Sequence, residues 1–149
     1  MILADEAATA RLGAAIAAVL RLGEAVCLSG PLGAGKSTLA RALVRALTTP
    51  DEEVPSPTFT LVQFYEGDPI NVAHFDLYRL SGPDEAYEIG LDEALDDGAA
   101  VIEWPERLEG QLPADRLEVE ISLGGDSGGR EARLVRHGAW EGRGLEFGP

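Results

Sequence analysis

The residues with the plainest chemical meaning lie within the first forty positions. Gly30-Pro31-Leu32-Gly33-Ala34-Gly35-Lys36-Ser37 places glycine, lysine and hydroxyl at the spacing G-x-x-x-x-G-K-[ST]. Glycines let a backbone approach anionic oxygens without a Cβ in the way. The N–H groups of such a loop point inward as a cradle, and the start of a following helix adds the positive end of its dipole. Lys36 is a long cation able to reach terminal phosphates, and Ser37 offers a hydroxyl to Mg²⁺. Lys36 is also the chain's only lysine, the other eleven basic residues being arginine. A sequence that otherwise uses arginine has put a compact point charge where a phosphate would need one.

A phosphate-bound Mg²⁺ also calls for a carboxylate at the tip of a neighbouring buried strand. Two candidates compete. Ile70-Asn71-Val72-Ala73-His74-Phe75-Asp76 ends in Asp76, and Ala99-Ala100-Val101-Ile102-Glu103 ends in Glu103. Either could instead cap a helix or pair with a cation. The run before Glu103 is the more continuously apolar, which favours Glu103 and Ser37 for the metal and leaves Asp76 as a second acid orienting water. His74 reads as a satisfied strand histidine, Cys27 as a small buried hydrophobe, and His137 carries no role.

The flanking pattern can position these groups. Asp5–Arg21 has Leu12, Ile16, Val19 and Leu20 at helical spacing, and Gly23 stops it. Ala25–Ser29 is a short apolar run of strand length. Beyond Lys36, the fourfold spacing of Leu39, Leu43 and Leu47 predicts a helix, so the order is strand, glycine loop, helix. Residues 50–57 are a Pro-broken extended loop. Thr58–Tyr65 and Ile70–Asp76 read as strands around a turn at Glu66-Gly67-Asp68-Pro69, and Asp84–Asp97 as one or two acidic helices. Leu117–Leu123 and Glu131–Val135 read as later strands, and the Gly-rich tail from Glu141 to Pro149 is expected to fray. The fold expected is an α/β, P-loop NTPase-like sandwich: a mixed, mostly parallel sheet flanked by helices, forming one domain over 1–149.

Composition narrows the function classes. The chain has 149 residues, 45% of them hydrophobic, which is ordinary for one globular domain. No stretch reaches the roughly 18 apolar residues of a membrane span. The first apolar segment follows Asp5 and Glu6 rather than basic residues, unlike a secretory signal, so a cytoplasmic location is expected. A single cysteine rules out an internal disulfide framework and a multi-cysteine zinc site. The net charge of −14 repels a phosphodiester backbone, so strong direct binding of RNA or DNA is not expected. Asp84–Glu120 holds thirteen acidic and two basic residues, for a local charge of −11. It is a solvated face or a docking surface for a basic protein.

Four ordered segments resemble the TsaE (YjeE) family: Gly30–Thr38, Ser56–Val62, the run His74-Phe75-Asp76-Leu77-Tyr78-Arg79-Leu80, and Val101-Ile102-Glu103-Trp104-Pro105. The resemblance implies a P-loop ATPase of bacterial tRNA threonylcarbamoyladenosine synthesis, working on a TsaD–TsaB partner complex. It implies that Gly33, Ala34, Gly35, Lys36, Ser37 and Thr38 bind ATP phosphates, and that Ser37 and Glu103 hold Mg²⁺. Lys36, Asp76 and Glu103 would then be the catalytic set. It further implies that Thr58, in a switch-like segment, lies near the γ-phosphate, that Trp104 adjoins the metal ligand, and that Arg130 approaches the adenine. Pro31 stands where the family usually has Asp, and Ser37 where Thr is commoner. Activity in isolation is expected to be weak, since only Arg79, Arg130 and Arg133 could serve as an arginine finger. The alternative is a binding module in which ATP occupancy, not hydrolysis, controls partner association. A kinase is disfavoured by the lack of an Arg-rich lid segment, and a GTPase by the lack of an Asn-Lys-x-Asp motif.

Overall fold

In the computed structural model, residues 1–31, 35–55, 57, 61–124 and 129–145 are described. Among them, seven strands form one sheet: β1 (Ile2–Leu3), β2 (Ala25–Ser29), β3 (Val62–Tyr65), β4 (Asn71–Asp76), β5 (Gly98–Glu103), β6 (Arg116–Leu123) and β7 (Arg130–His137). Their spatial order is β1-β7-β6-β2-β5-β4-β3. The four central strands, β6, β2, β5 and β4, run parallel, while β1, β7 and β3 pair antiparallel at the edges. This is the α/β P-loop NTPase-like architecture, mostly parallel at its core.

The strands alternate between two apolar layers, as a sheet covered on both faces requires. Val26, Leu28, Val101 and Val119 join Leu12 and Ile16 of α1 (Glu6–Val19) and Leu39, Leu43 and Leu47 of α2 (Lys36–Leu47). On the other face Cys27, Phe75 and Ile102 meet Ala86 of α3 (Pro83–Glu88), and Leu91 and Ala94 of α4 (Leu91–Asp97). Asp5 begins α1 as its N-cap, its Oδ1 accepting from Ala8 N–H at 2.8 Å. Helices α1 and α2 approach closely at Gly13, where a Cβ would lie 2.6 Å from the Leu39 carbonyl oxygen.

Several boundaries differ from the sequence expectation. Helix α1 stops at Val19, not Arg21, because Leu20 turns to extended backbone with ψ 136°. Strand β3 begins at Val62, just after Leu61 takes a left-handed φ of 67°; residues 58–60 lie outside the described set. The two-residue β1 was not anticipated, being too short to show a period. The tail also departs from fraying over 141–145. Trp140 is fully buried, and Arg143 lies 4.4 Å over its ring. Two guanidinium nitrogens of Arg143 donate to the buried Glu24 carboxylate at 2.7 Å each. Charged-residue spacing 119 positions apart gives no sequence signal for such a pair. No helix among the described residues is long and apolar enough to cross a membrane.

Cys27 sits in β2, the strand that leads into the glycine loop, and burial pushes its thiol up from an ordinary value near 9 to about 12. The folded state therefore keeps a proton that the unfolded chain releases. This contribution to stability is complete below about pH 9 and declines as pH rises from about 9 to 12. Cys27→Ala should lose less stability across that window than the native chain, by up to about 1.4 kcal/mol per pH unit, in urea titrations. The native thiol should react with a disulfide reagent at pH 8 only after unfolding.

Candidate functional site

The site forms where β2, β4 and β5 end together on the edge of the sheet facing the start of α2. Helix α2 begins directly after the glycine loop, with Gly35 as its N-cap at a left-handed φ of 108°. Gly30, with φ 134°, passes so close to β6 that a Cβ would lie 2.0 Å from the Ile121 carbonyl oxygen. No other residue fits that contact, so the loop's exit from β2 is fixed by its lack of a side chain.

Lys36 opens α2 and is only 4% exposed. Its Nζ donates to the Gly30 carbonyl at 2.7 Å and lies 3.6 Å from the centroid of the Trp104 ring. Such a desolvated cation–π contact contributes about 2 kcal/mol. Burial lowers the pKa of the ammonium, and the negative charges of Glu103, Glu106 and Asp76 oppose that shift. The fields of three carboxylates thus act on one buried cation. Trp104 reaches beneath it because the residue after β5 adopts a left-handed φ of 61°, a conformation uncommon for a bulky side chain. The Tyr78 ring packs on Trp104 at 4.9 Å between centroids, and Arg107 lies 5.9 Å over Tyr78.

The two competing carboxylates prove to be neighbours. In the parallel pairing of β4 and β5, Asp76 stands opposite Glu103, and both are buried. By strand alternation both share the sheet face covered by α1 and α2 with Val72 and Val101. Asp76 Oδ1 accepts from the Tyr78 N–H at 3.0 Å. Glu103 Oε2 lies 2.6 Å from His74 Nε2, so the strand histidine is satisfied at that nitrogen by the carboxylate at the tip of β5. That contact was missed in the sequence because its signal is the parity of two strands 29 positions apart.

The remaining expected site residues divide. Ser37 is exposed in the first turn of α2, beside Lys36. Thr38, Gly35 and Arg130 line one cleft of about 260 Å³ together with Leu3 and Thr9. Arg130 is therefore brought to the loop side of α2, although it belongs to β7, and its Nη1 donates to the Gly129 carbonyl at 3.1 Å. Gly33, Ala34 and Thr58 lie outside the described residues. The donor set suits Mg²⁺, which takes hard oxygen ligands and keeps several positions for water and phosphate. Ser37 and Glu103 supply a hydroxyl and a carboxylate, and no cluster of three or more His, Cys, Asp or Glu side chains able to hold a metal exists among the described residues. A helix start with a buried ammonium and nearby carboxylates can bind a polyphosphate and its cation.

Known proteins resemble most of the chain. The family model described as threonylcarbamoyl adenosine biosynthesis protein TsaE matches residues 3–132. A protein of Aquifex aeolicus named tRNA threonylcarbamoyladenosine biosynthesis protein TsaE is 41% identical over 138 residues, 91% of this chain and 95% of its own length. The protein of the same name from Rickettsia bellii is 38% identical over 122 residues, covering 82% of this chain and 85% of its own. The crystal structure of Bacillus subtilis YdiB is similar with a TM-score of 0.75 and 29% identity, over 92% of this chain and 84% of that one.

The closeness of Gly30 to β6 has a measurable consequence. Gly30→Ala should lower unfolding free energy by about 3–5 kcal/mol, combining left-handed strain with a backbone clash. Chemical denaturation checks this, and a loss below about 1 kcal/mol would contradict the described loop exit.

Proposed function

This chain belongs to the TsaE family of threonylcarbamoyl adenosine biosynthesis proteins, and from that premise we propose that it is a Mg²⁺-dependent ATPase serving tRNA threonylcarbamoyladenosine formation through a TsaD–TsaB-like partner complex. The observation that carries the reading is Lys36: the only lysine in the chain, buried at the start of α2 and held by the Gly30 carbonyl. Burying an ammonium is costly unless anions or acceptors meet it. A triphosphate arriving at the loop supplies them, and Nζ then exchanges the Gly30 oxygen and the Trp104 face for phosphate oxygens.

In this reading, Gly33 to Thr38 line the phosphates, with loop N–H groups and the α2 dipole favouring the negative charge. Ser37 and Glu103 are the residues that would hold Mg²⁺. Held there, Mg²⁺ would supply positive charge to offset the negative charge that develops on the phosphates during transfer. Asp76, adjacent to Glu103, orients the attacking water. Thr58 approaches the γ-phosphate, and the cleft containing Thr38 and Arg130 receives the base. Trp104 holds Lys36 in place before nucleotide binds.

The net charge of −14 supports a division of labour in which partner proteins grip the tRNA and this chain cycles nucleotide. A cytoplasmic location suits a tRNA-directed role. Without a supplied arginine, turnover in isolation is slow; such a residue is worth roughly 10³–10⁵ in rate.

Phosphate release should be measured with ATP and Mg²⁺, with and without the TsaD–TsaB pair. Turnover should rise at least about tenfold with the pair and fall at least about a hundredfold in Lys36→Ala. Undiminished hydrolysis by Lys36→Ala would overturn the assignment of Lys36.

A further inference from the structure

The carboxylate of Glu103 is not left to choose its own orientation. His74 Nε2 lies 2.6 Å from Glu103 Oε2, with the two side chains only 2% and 4% exposed. A carboxylate that holds a metal ion is deprotonated and only accepts hydrogen bonds, so in that role the proton of this contact belongs to Nε2. The other ring nitrogen, Nδ1, is buried with no hydrogen-bond partner among the described residues. A residue needed only for packing would not bring a polar nitrogen into such a place, since Leu or Val fills the space without leaving a polar atom unmatched. What the imidazole adds is the single bond to Glu103.

The geometry of that bond follows from the sheet. His74 stands opposite Val101, and Asp76 opposite Glu103, in the parallel pairing of β4 and β5. The imidazole therefore reaches diagonally along one face, from the middle of β4 to the tip of β5. It occupies Oε2 and leaves Oε1 as the carboxylate's other acceptor. Carboxylates that bind metals are commonly fixed in this way by a partner outside the coordination sphere, and removing it costs metal affinity.

We propose that His74 is a positioning residue: its Nε2–H fixes the rotamer of Glu103 so that Oε1 is the oxygen presented to Mg²⁺. This inference rests on the reading of Glu103 as a magnesium ligand. His74 itself touches neither nucleotide nor metal. Its effect is confined to the part of nucleotide affinity that magnesium supplies.

The test is calorimetric titration of ATP into the full chain, once with Mg²⁺ and once with EDTA. Three variants are compared. His74→Leu removes the donor, His74→Asn carries an amide too short to reach Glu103, and His74→Gln places an N–H at nearly the reach of Nε2. The magnesium-dependent gain in affinity should fall about tenfold in His74→Leu and His74→Asn, in line with losses seen on removing such partners. It should stay within about threefold of the native value in His74→Gln, while affinity in EDTA stays within about twofold throughout. Mn²⁺, followed by electron paramagnetic resonance in the presence of ATP, should show the same order of bound metal. A merely structural histidine would lower both affinities together, and would not be rescued by Gln. The inference is overturned if either Leu or Asn, whichever folds, keeps the native gain, or if Gln loses as much as Asn. A native chain that binds ATP with no gain from magnesium would instead remove the metal reading, and this inference with it.

Discussion

A single ammonium group buried where a helix begins sets the terms for the surrounding structure. Lys36 is 4% exposed, and water cannot solvate it fully. Its charge is met by the Gly30 carbonyl, the π-face of Trp104, and the fields of Glu103, Glu106 and Asp76. Each of these needs backbone of a particular shape. Gly30 must lack a side chain to pass Ile121, Trp104 must take a left-handed φ, and β4 and β5 must end level so that two carboxylates arrive together. Depriving the cation of these partners would leave an uncompensated charge beneath a helix, a far larger penalty than any one contact contributes.

The sheet supplies that registration. Parallel strands covered by helices on both faces all deliver their carboxyl ends to one edge, and ligands of open α/β sheets bind at that edge. Alternation along β4 and β5 then puts His74, Asp76 and Glu103 on the face of α1 and α2, while Phe75 and Ile102 hold the opposite layer. The antiparallel strands serve a different purpose. β7 carries Arg130 back across the sheet to the start of α2, and β1 pairs with it at Leu3, closing the same cleft. The far end is tied by Arg143, whose guanidinium clamps Glu24 just ahead of β2.

Much of this was legible in the residues alone. The order strand, glycine loop, helix is a local pattern, and β2 and α2 lie where the spacing on either side of the glycines puts them. The apolar runs of β2 and β5 and the leucine period of α2 were strong for the same reason. Sequence favoured Glu103 over Asp76 for the metal because the run before it is the more continuously apolar, and strand register, which spacing does not carry, sets the two carboxylates side by side. The His74–Glu103 bond depends on strand register, and the Arg143–Glu24 pair on a chain return of 119 positions. Neither leaves a periodic trace. The tail was read as frayed from its glycines, but one buried Trp140 and one ion pair outweigh that composition over 141–145.

The proposed function requires that this loop and its lysine bind a triphosphate. Isothermal titration of ATP into the folded chain in magnesium buffer tests it directly. Saturable heat for one nucleotide per chain is expected, together with its loss in a Lys36→Ala variant that still folds. Absence of binding by the native chain, alone and with the TsaD–TsaB pair, or equal binding by Lys36→Ala, would contradict it.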